Sequence, residues 1–115
     1  MVCHEEKLLR EFREHLRGGE GGVEMLHFIG KDEMQDKARL FARLTLAPGA
    51  SIGEHTHVGD SETFYFLSGS GVYNDNGTVV PVAAGDVAFA AEGTMHGIVN
   101  NGDEDLVFVA LILYA

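Results

Sequence analysis

The chain has 115 residues and a formal net charge of −10, from 8 Lys and Arg against 18 Asp and Glu. That length fits one domain, and 45% hydrophobic with 23% charged residues is an ordinary globular balance that excludes a disordered chain. The longest apolar run, residues 106–115, is half as long as a membrane-spanning helix, so we expect no membrane partner. The single cysteine, Cys3, excludes an internal disulfide framework. With an acidic start unlike a secretory signal, it favours a reducing, cytoplasmic location.

Positive charge is confined to the first part of the chain. All eight Lys and Arg lie within residues 1–43, whereas residues 44–115 hold half of the 18 acidic residues and no Lys or Arg. Nucleic-acid binding needs cations that face phosphates, so we expect no nucleic-acid partner. A pocket in the second part could therefore hold an anion only through a metal, backbone N–H groups or side chains from residues 1–43.

The first predicted element is a short N-terminal α-helix over residues 4–17. Leu8, Leu9, Phe12 and Leu16 fall on one stripe of such a helix, and the glycines that follow would end it. We expect one domain over residues 1–115, with residues 1–22 as the N-terminal helix and glycine-rich link. Residues 23–115 would then form a leading strand and a β-barrel.

The helical period disappears after residue 22, and short strands take its place. Residues 39–47 alternate strictly between two faces, and Asn76-Gly77 is the strongest hairpin signal in the chain. Residues 32–35 read as a turn or a single helical turn. Many short strands broken by glycine turns indicate a β-sandwich or barrel. The predicted strands are 23–29, 39–47, 52–57, 62–68, 71–75, 78–82, 87–90, 97–100 and 106–114.

Two histidines and a carboxylate form the first group of residues that could bind a metal or take part in a reaction. His55 and His57 are two positions apart, so their imidazoles project from the same face of a strand. The loop that follows allows the chain to turn and present Glu62 from the next strand. Imidazole and carboxylate ligands suit a divalent first-row metal ion.

The spacing of these residues, with a second group further along, resembles the cupin superfamily. The first cupin motif, G-x5-H-x-H-x(3,4)-E-x6-G, is matched by Gly49, His55, His57, Glu62 and Gly69. The second motif, G-x5-P-x-G-x2-H-x3-N, is matched at four positions, and the exception is Ala91 where the family has proline. Those four positions are Gly85, Gly93, His96 and Asn100.

The resemblance implies an all-β fold, a double-stranded β-helix or jelly-roll barrel. It also implies that His55, His57, Glu62 and His96 bind one divalent transition metal ion per chain, with Fe, Mn, Ni, Zn and Cu all compatible. The alternative is a metal-free barrel with a polar, hydrogen-bonded cavity. Ala91 would make the turn before His96 less rigid without removing a ligand.

Side chains alternate between the two faces of a strand, and this alternation predicts further residues around the site. Phe64 and Phe66 share the face of Glu62, and Ile98 shares that of His96, so these side chains either line a small-molecule cavity or belong to the core. Arg39 and Arg43 share one face of the strand ahead of the first motif. They either anchor an anionic substrate or lie on the outer sheet face or at a dimer seam.

Three functions remain open at this point. The first is a small metal-dependent enzyme, a dioxygenase, isomerase or lyase in which Glu62 could double as a catalytic base, and the second is a non-catalytic ligand-binding or sensor module. The third is a structural subunit with a vestigial metal. The missing cations favour a neutral or metal-chelating small molecule over a sugar phosphate. The last strand is apolar on both faces, so we also expect a homodimer to which the leading strand or N-terminal helix contributes.

Overall fold

The computed structural model describes residues 1–115 and contains ten strands, one short α-helix and two 3-10 helical turns, at Glu5–Lys7 and Leu16–Gly18. The strands account for most of the chain, and the helix is a single turn. Their bounds are β1 Leu9–Glu14, β2 Gly22–His27, α1 Lys31–Met34, β3 Ala38–Leu46, β4 Ser51–Thr56, β5 Asp60–Ser68, β6 Ser70–Asp75, β7 Thr78–Ala83, β8 Val87–Ala90, β9 Met95–Val99 and β10 Leu106–Tyr114.

Two antiparallel sheets form the jelly-roll barrel that the sequence predicts. The first has six strands in the order β1-β2-β3-β10-β5-β8, and the second has four in the order β4-β9-β6-β7. β10, the last strand in chain order, therefore lies between β3 and β5 near the middle of the larger sheet. No helix of the structure has the length and apolar character needed to cross a membrane.

The predicted N-terminal helix is wrong. Residues Leu9–Glu14 form β1, which pairs with all six residues of β2, from Leu9 opposite His27 to Glu14 opposite Gly22. A lone helix of this length is marginal in water, whereas a strand gains the ladder hydrogen bonds that the free edge of β2 offers. The stripe that favoured a helix is not buried as one, since Leu9 and Phe12 remain about two-thirds exposed (65% and 64%).

The other predicted elements are confirmed, with ends that differ by at most two residues. β3 buries Ala42, Leu44 and Leu46 on one face, as its alternation predicts. Asn76 and Gly77 connect β6 to β7 with positive φ angles of 49° and 99°, as a two-residue type I′ hairpin turn requires at both positions. The sequence pattern thus specifies the barrel strand by strand from β2 onward.

The hydrophobic core lies between the two sheets. It contains 16 buried residues, and its largest members are the rings of Phe64, Phe66 and Phe108. These rings pack together, with centroids 4.6 Å apart for Phe64 and Phe108 and 5.4 Å for Phe66 and Phe108. This aromatic core abuts one side of the polar cluster described next, because Phe64 also stacks on the ring of His96 at 5.2 Å.

Candidate metal centre

Four side chains from three neighbouring parts of the barrel converge inside it. His55 lies on β4 directly opposite His96 on β9, His57 follows the end of β4, and Glu62 lies on β5. One donor atom from each of the four lies within 4.8 Å of all the others. His57, Glu62 and His96 are buried, with 5% exposure or less, so the cluster is shielded from bulk water.

Hydrogen bonds at the outer ring nitrogen fix how His55 and His57 point. His55 Nδ1 lies 2.7 Å from the carbonyl oxygen of Gly53, and His57 Nδ1 lies 2.6 Å from Oδ1 of Asp60. A carbonyl and a carboxylate can only accept, so both Nδ1 atoms donate. In the neutral imidazoles each Nε2 then presents a free lone pair to the centre of the cluster.

Tyr73 holds the third histidine. Its hydroxyl lies 2.8 Å from Nδ1 of His96, and burial raises the pKa of Tyr73 well above its usual range, so the hydroxyl keeps its proton. Phe64 packs on the other side of the same imidazole. Residues of β6 and β5 thereby fix the orientation of a ligand carried by β9.

The spacing of the inner donor atoms fits one metal ion. Nε2 of His96 lies 2.9 Å from Nε2 of His57 and 3.1 Å from Nε2 of His55, and Oε1 of Glu62 lies 3.1 Å and 3.0 Å from Nε2 of His57 and His96. Adjacent ligands at right angles on an ion with bonds of about 2.1 Å lie about 3.0 Å apart. Three imidazoles and a carboxylate are also a donor set that divalent transition metals accept. The residues present therefore fit a metal ion.

Protons and a metal compete for these atoms. Hydrogen bonding to Glu62 raises the pKa of His57, despite the opposing effect of burial, so a proton can occupy its Nε2 when no ion is bound. Burial lowers the pKa of His55, and the neighbouring His96 and His57 add to this, so the neutral form of His55 that can bind a metal is favoured. Burial raises the pKa of Glu62, but hydrogen bonds from the histidines outweigh it and keep the carboxylate ionised. Metal binding should therefore release protons.

A second carboxylate supports the cluster from outside. Asp60 is buried and accepts hydrogen bonds from His57 and, at 2.7 Å and 3.2 Å, from the Arg39 guanidinium. Burial raises the pKa of Asp60, but its hydrogen bonds with Arg39 and His57 more than compensate, and the pKa is lowered overall. Asp60 is thus an anion at neutral pH that orients a metal ligand.

The cluster opens onto a cavity of about 370 Å³, lined by His55, His57 and Glu62. This is within the size range of small-molecule sites. Most of the remaining lining is aliphatic, from Leu16, Met25, Leu40, Leu44, Ile52 and Ile112. The polar remainder consists of Arg13, Arg17, His27 and Arg39.

The residues predicted from the alternation of side chains along the strands do not all lie at the cavity. Arg39 lines the cavity, whereas Arg43 pairs with Glu5 at 3.4 Å and is not part of the lining. Phe64, Phe66 and Ile98 belong to the hydrophobic core, are at most 2% exposed and do not line the cavity.

Sequence reasoning missed three residues of the lining, Arg13, Arg17 and His27. Arg13 and Arg17 fall within the helix predicted over residues 4–17, but they lie on β1 and in the 3-10 turn after it. His27, at the end of β2, hydrogen bonds to Glu11 across the hairpin. The charge distribution did contain the signal, because it required any cation at the cavity to come from residues 1–43.

The fold is a double-stranded β-helix, and three histidines and a glutamate converge inside it. These two features define the class of protein as a small β-barrel with a candidate metal centre. The cupin domain family matches residues 42–112, and the chain belongs to that family.

Two relatives extend the similarity to nearly the whole chain. An oxalate-binding protein from Thermotoga maritima is 48% identical over 113 residues, which cover 98% of this chain and 93% of the relative. The crystal structure of a predicted oxalate decarboxylase from Thermotoga maritima has a TM-score of 0.95 at 47% identity, with both chains fully covered.

A third comparison concerns the fold alone. The polyketide cyclase RemF from Streptomyces resistomycificus has a TM-score of 0.78 at 20% identity, covering 98% of this chain and 78% of that one. The same barrel fold therefore occurs in a protein that has low sequence identity to this chain and a different name.

Proposed function

We propose that this protein binds one divalent transition metal ion through His55, His57, Glu62 and His96 and uses it to hold a small metal-chelating carboxylate. Oxalate is the first candidate, because the oxalate-binding relative is 48% identical over nearly the whole chain. The observation that carries the proposal is the convergence of four donor atoms, three of them from residues that line a cavity together with arginines. When bound, such an ion supplies positive charge that attracts and polarises carboxylate oxygens.

The other side chains of the cavity exclude water and anchor the ligand. The aliphatic residues exclude water from the bound ligand, which strengthens electrostatic attraction to it. Arg39 anchors the ligand with guanidinium donors that its pairing with Asp60 leaves free. Arg43 has no part in this proposal, because its partner is Glu5 and it does not line the cavity.

Catalysis at the same centre is a second candidate function. Four protein ligands leave positions free on a six-coordinate ion, as in catalytic sites, and the donors here face a cavity. A lyase, dioxygenase or isomerase would need a residue that accepts a proton, and Glu62 is the carboxylate of the cluster that lines the cavity. A binding or sensor protein would hold the same ligand without turnover.

One set of measurements tests the proposal and separates the two candidates. The protein, purified without a metal-affinity tag, should contain about one divalent ion per chain by elemental analysis. Calorimetry should detect oxalate binding to the metal-loaded protein and none to the chelator-treated protein. Formate and CO₂ release and O₂ consumption would then reveal turnover, and their absence with intact binding would identify a binding protein.

The matched variants are His96→Ala and Glu62→Gln, with His4→Ala as the control. His4 is exposed and outside the cluster. The first two variants should lose both metal and oxalate binding, whereas the control should keep both. Full metal content in His96→Ala, or none in the unaltered protein, would contradict the proposal.

We also propose that two copies pair as a homodimer, through the outer face of the six-stranded sheet. Val109 of β10, Tyr65 of β5 and Val87 of β8 lie side by side on that face. Phe89 lies in the next row and is 58% exposed. A contiguous apolar surface of this kind is typical of a protein–protein contact.

The proposed location is a reducing cytoplasm, because Cys3 is an exposed, unpaired thiol. Its accessibility to a thiol reagent inside cells tests this.

A further inference from the structure

Arg17 differs from the other arginines of the cavity in having no acidic partner. Arg13 contacts the carboxylate of Glu11, and Arg39 contacts that of Asp60. Arg17 takes part in no ion pair or side-chain hydrogen bond of the structure, yet it lines the same cavity as the metal ligands. Its charge is therefore the one most available to an anion that enters.

The backbone around Arg17 is held in an uncommon conformation. Arg17 has φ 55° and ψ 31°, in the left-handed region that residues other than glycine rarely adopt. Such a conformation persists only where the surroundings enforce it, and it is found most often at functional sites.

Close packing against β4 enforces this conformation. A Cβ on Gly53 would lie 2.0 Å from the carbonyl oxygen of Arg17, and a Cβ on Gly19 would lie 2.1 Å from that of Ser51. Two hydrogen bonds join the same segments: Glu20 N donates to the side-chain Oγ of Ser51 at 2.8 Å, and Ser51 N donates to the backbone oxygen of Glu20 at 2.9 Å. The turn that carries Arg17 is thereby fixed beside β4, the strand that carries His55.

The cavity is larger than oxalate needs, and part of its wall is apolar. Its volume of about 370 Å³ would hold about a dozen water molecules, each with a share of about 30 Å³ in the liquid. Oxalate has no apolar part, whereas six aliphatic side chains line this space, among them Leu44 and Ile52. A ligand that fills the cavity would carry a hydrocarbon segment against them.

We infer that Arg17 binds a second anionic group of the ligand, so that the preferred ligand is a dicarboxylate longer than oxalate. One end chelates the metal, an aliphatic segment contacts the cavity wall, and the distal carboxylate pairs with Arg17. This inference rests on the proposed function, since it needs the metal to hold the chelating end.

A pair of ligands isolates the distal carboxylate. 2-Oxopentanoate and 2-oxoglutarate have the same chain length and the same chelating 2-oxo acid, but only 2-oxoglutarate has a carboxylate at the far end. Calorimetry with the metal-loaded protein should show about fivefold tighter binding of 2-oxoglutarate, as expected for a partly exposed ion pair. The preference should decrease as salt is raised.

Arg17→Gln should abolish the preference, and Arg10→Gln serves as its control. Arg10 is an exposed arginine that pairs with Glu5 and Glu24 and does not line the cavity. Metal content and thermal unfolding verify that each variant is folded. If Gln is not tolerated at a left-handed position, Arg17→Asn provides a second variant, because Asn adopts that conformation more readily.

The outcomes separate this inference from the proposed function. Equal affinity for the two 2-oxo acids, or a preference that survives in Arg17→Gln and Arg17→Asn, would overturn the inference while metal-dependent binding of oxalate still stood. Failure of oxalate and both 2-oxo acids to bind the metal-loaded protein would overturn both. A preference lost in Arg17→Gln and kept in Arg10→Gln would support it.

Discussion

Asp60 determines how His57 points into the proposed metal centre, so its removal should weaken metal binding without removing a proposed ligand. In Asp60→Asn the side chain is neutral and no longer enforces a single tautomer of the imidazole. Loss of such a partner costs about tenfold to a hundredfold in metal affinity. Competition with a chromophoric chelator would measure the loss, and Asp103→Asn, at an exposed position, is the matched control. Unchanged affinity in Asp60→Asn would show that His57 is oriented without this carboxylate.

Three of the four residues of the candidate centre were predictable because their spacing is local, whereas His96 was assigned only through the resemblance to the second cupin motif. His55 and His57 share a strand face at a separation of two, and Glu62 follows after a loop, so these positions follow from the sequence. Arg17 was not predictable in the same way. Its place at the cavity depends on the β1–β2 hairpin and on contact with Gly53, which no local pattern shows.

Among the elements, the turn between β1 and β2 depends on Gly53. Gly53→Ala would place a methyl group 2.0 Å from the backbone of Arg17, so the turn would have to move away from β4. Forcing an extra carbon into such a contact costs about 1–3 kcal/mol. The midpoint of thermal unfolding should fall by roughly 4–12 °C.

Gly102→Ala is the control for this substitution. Its added Cβ would lie 3.4 Å or more from every neighbour, which is ordinary contact. If Gly53→Ala unfolds at the same temperature as this control, the turn is not held by the contact described.

The strands were predictable from β2 onward, and the first element was not, for one reason. In β3 the alternation of apolar residues matches a face that is buried, so pattern and structure agree. Residues 9–14 carry a pattern that a helix or an edge strand could both use, and in the strand that forms Leu9 and Phe12 are exposed. Only the free edge of β2, a feature of the folded sheet, decides between them.

For the whole molecule, the outer face of the larger sheet predicts association. The expected mass in solution is twice 12.4 kDa at micromolar concentration, measured by sedimentation or light scattering. Phe89→Glu should produce a monomer, because a charge in an apolar contact loses its hydration without gaining a partner. Val79→Glu, at a 64% exposed position in the other sheet, should leave the mass unchanged. A monomeric mass for the unaltered protein would exclude the dimer.

The position of β10 has a consequence for the way the chain is made. Synthesis proceeds from the first residue, yet β10 is the strand that joins β3 to β5. Until Leu106–Tyr114 has left the ribosome, the larger sheet exists only as two separate pieces, with apolar edges that nothing covers. Formation of the larger sheet must therefore wait for synthesis of β10, and it depends on contacts between residues distant in sequence, which makes it slow. Until then the exposed apolar surfaces and unpaired strand edges make the chain prone to aggregation.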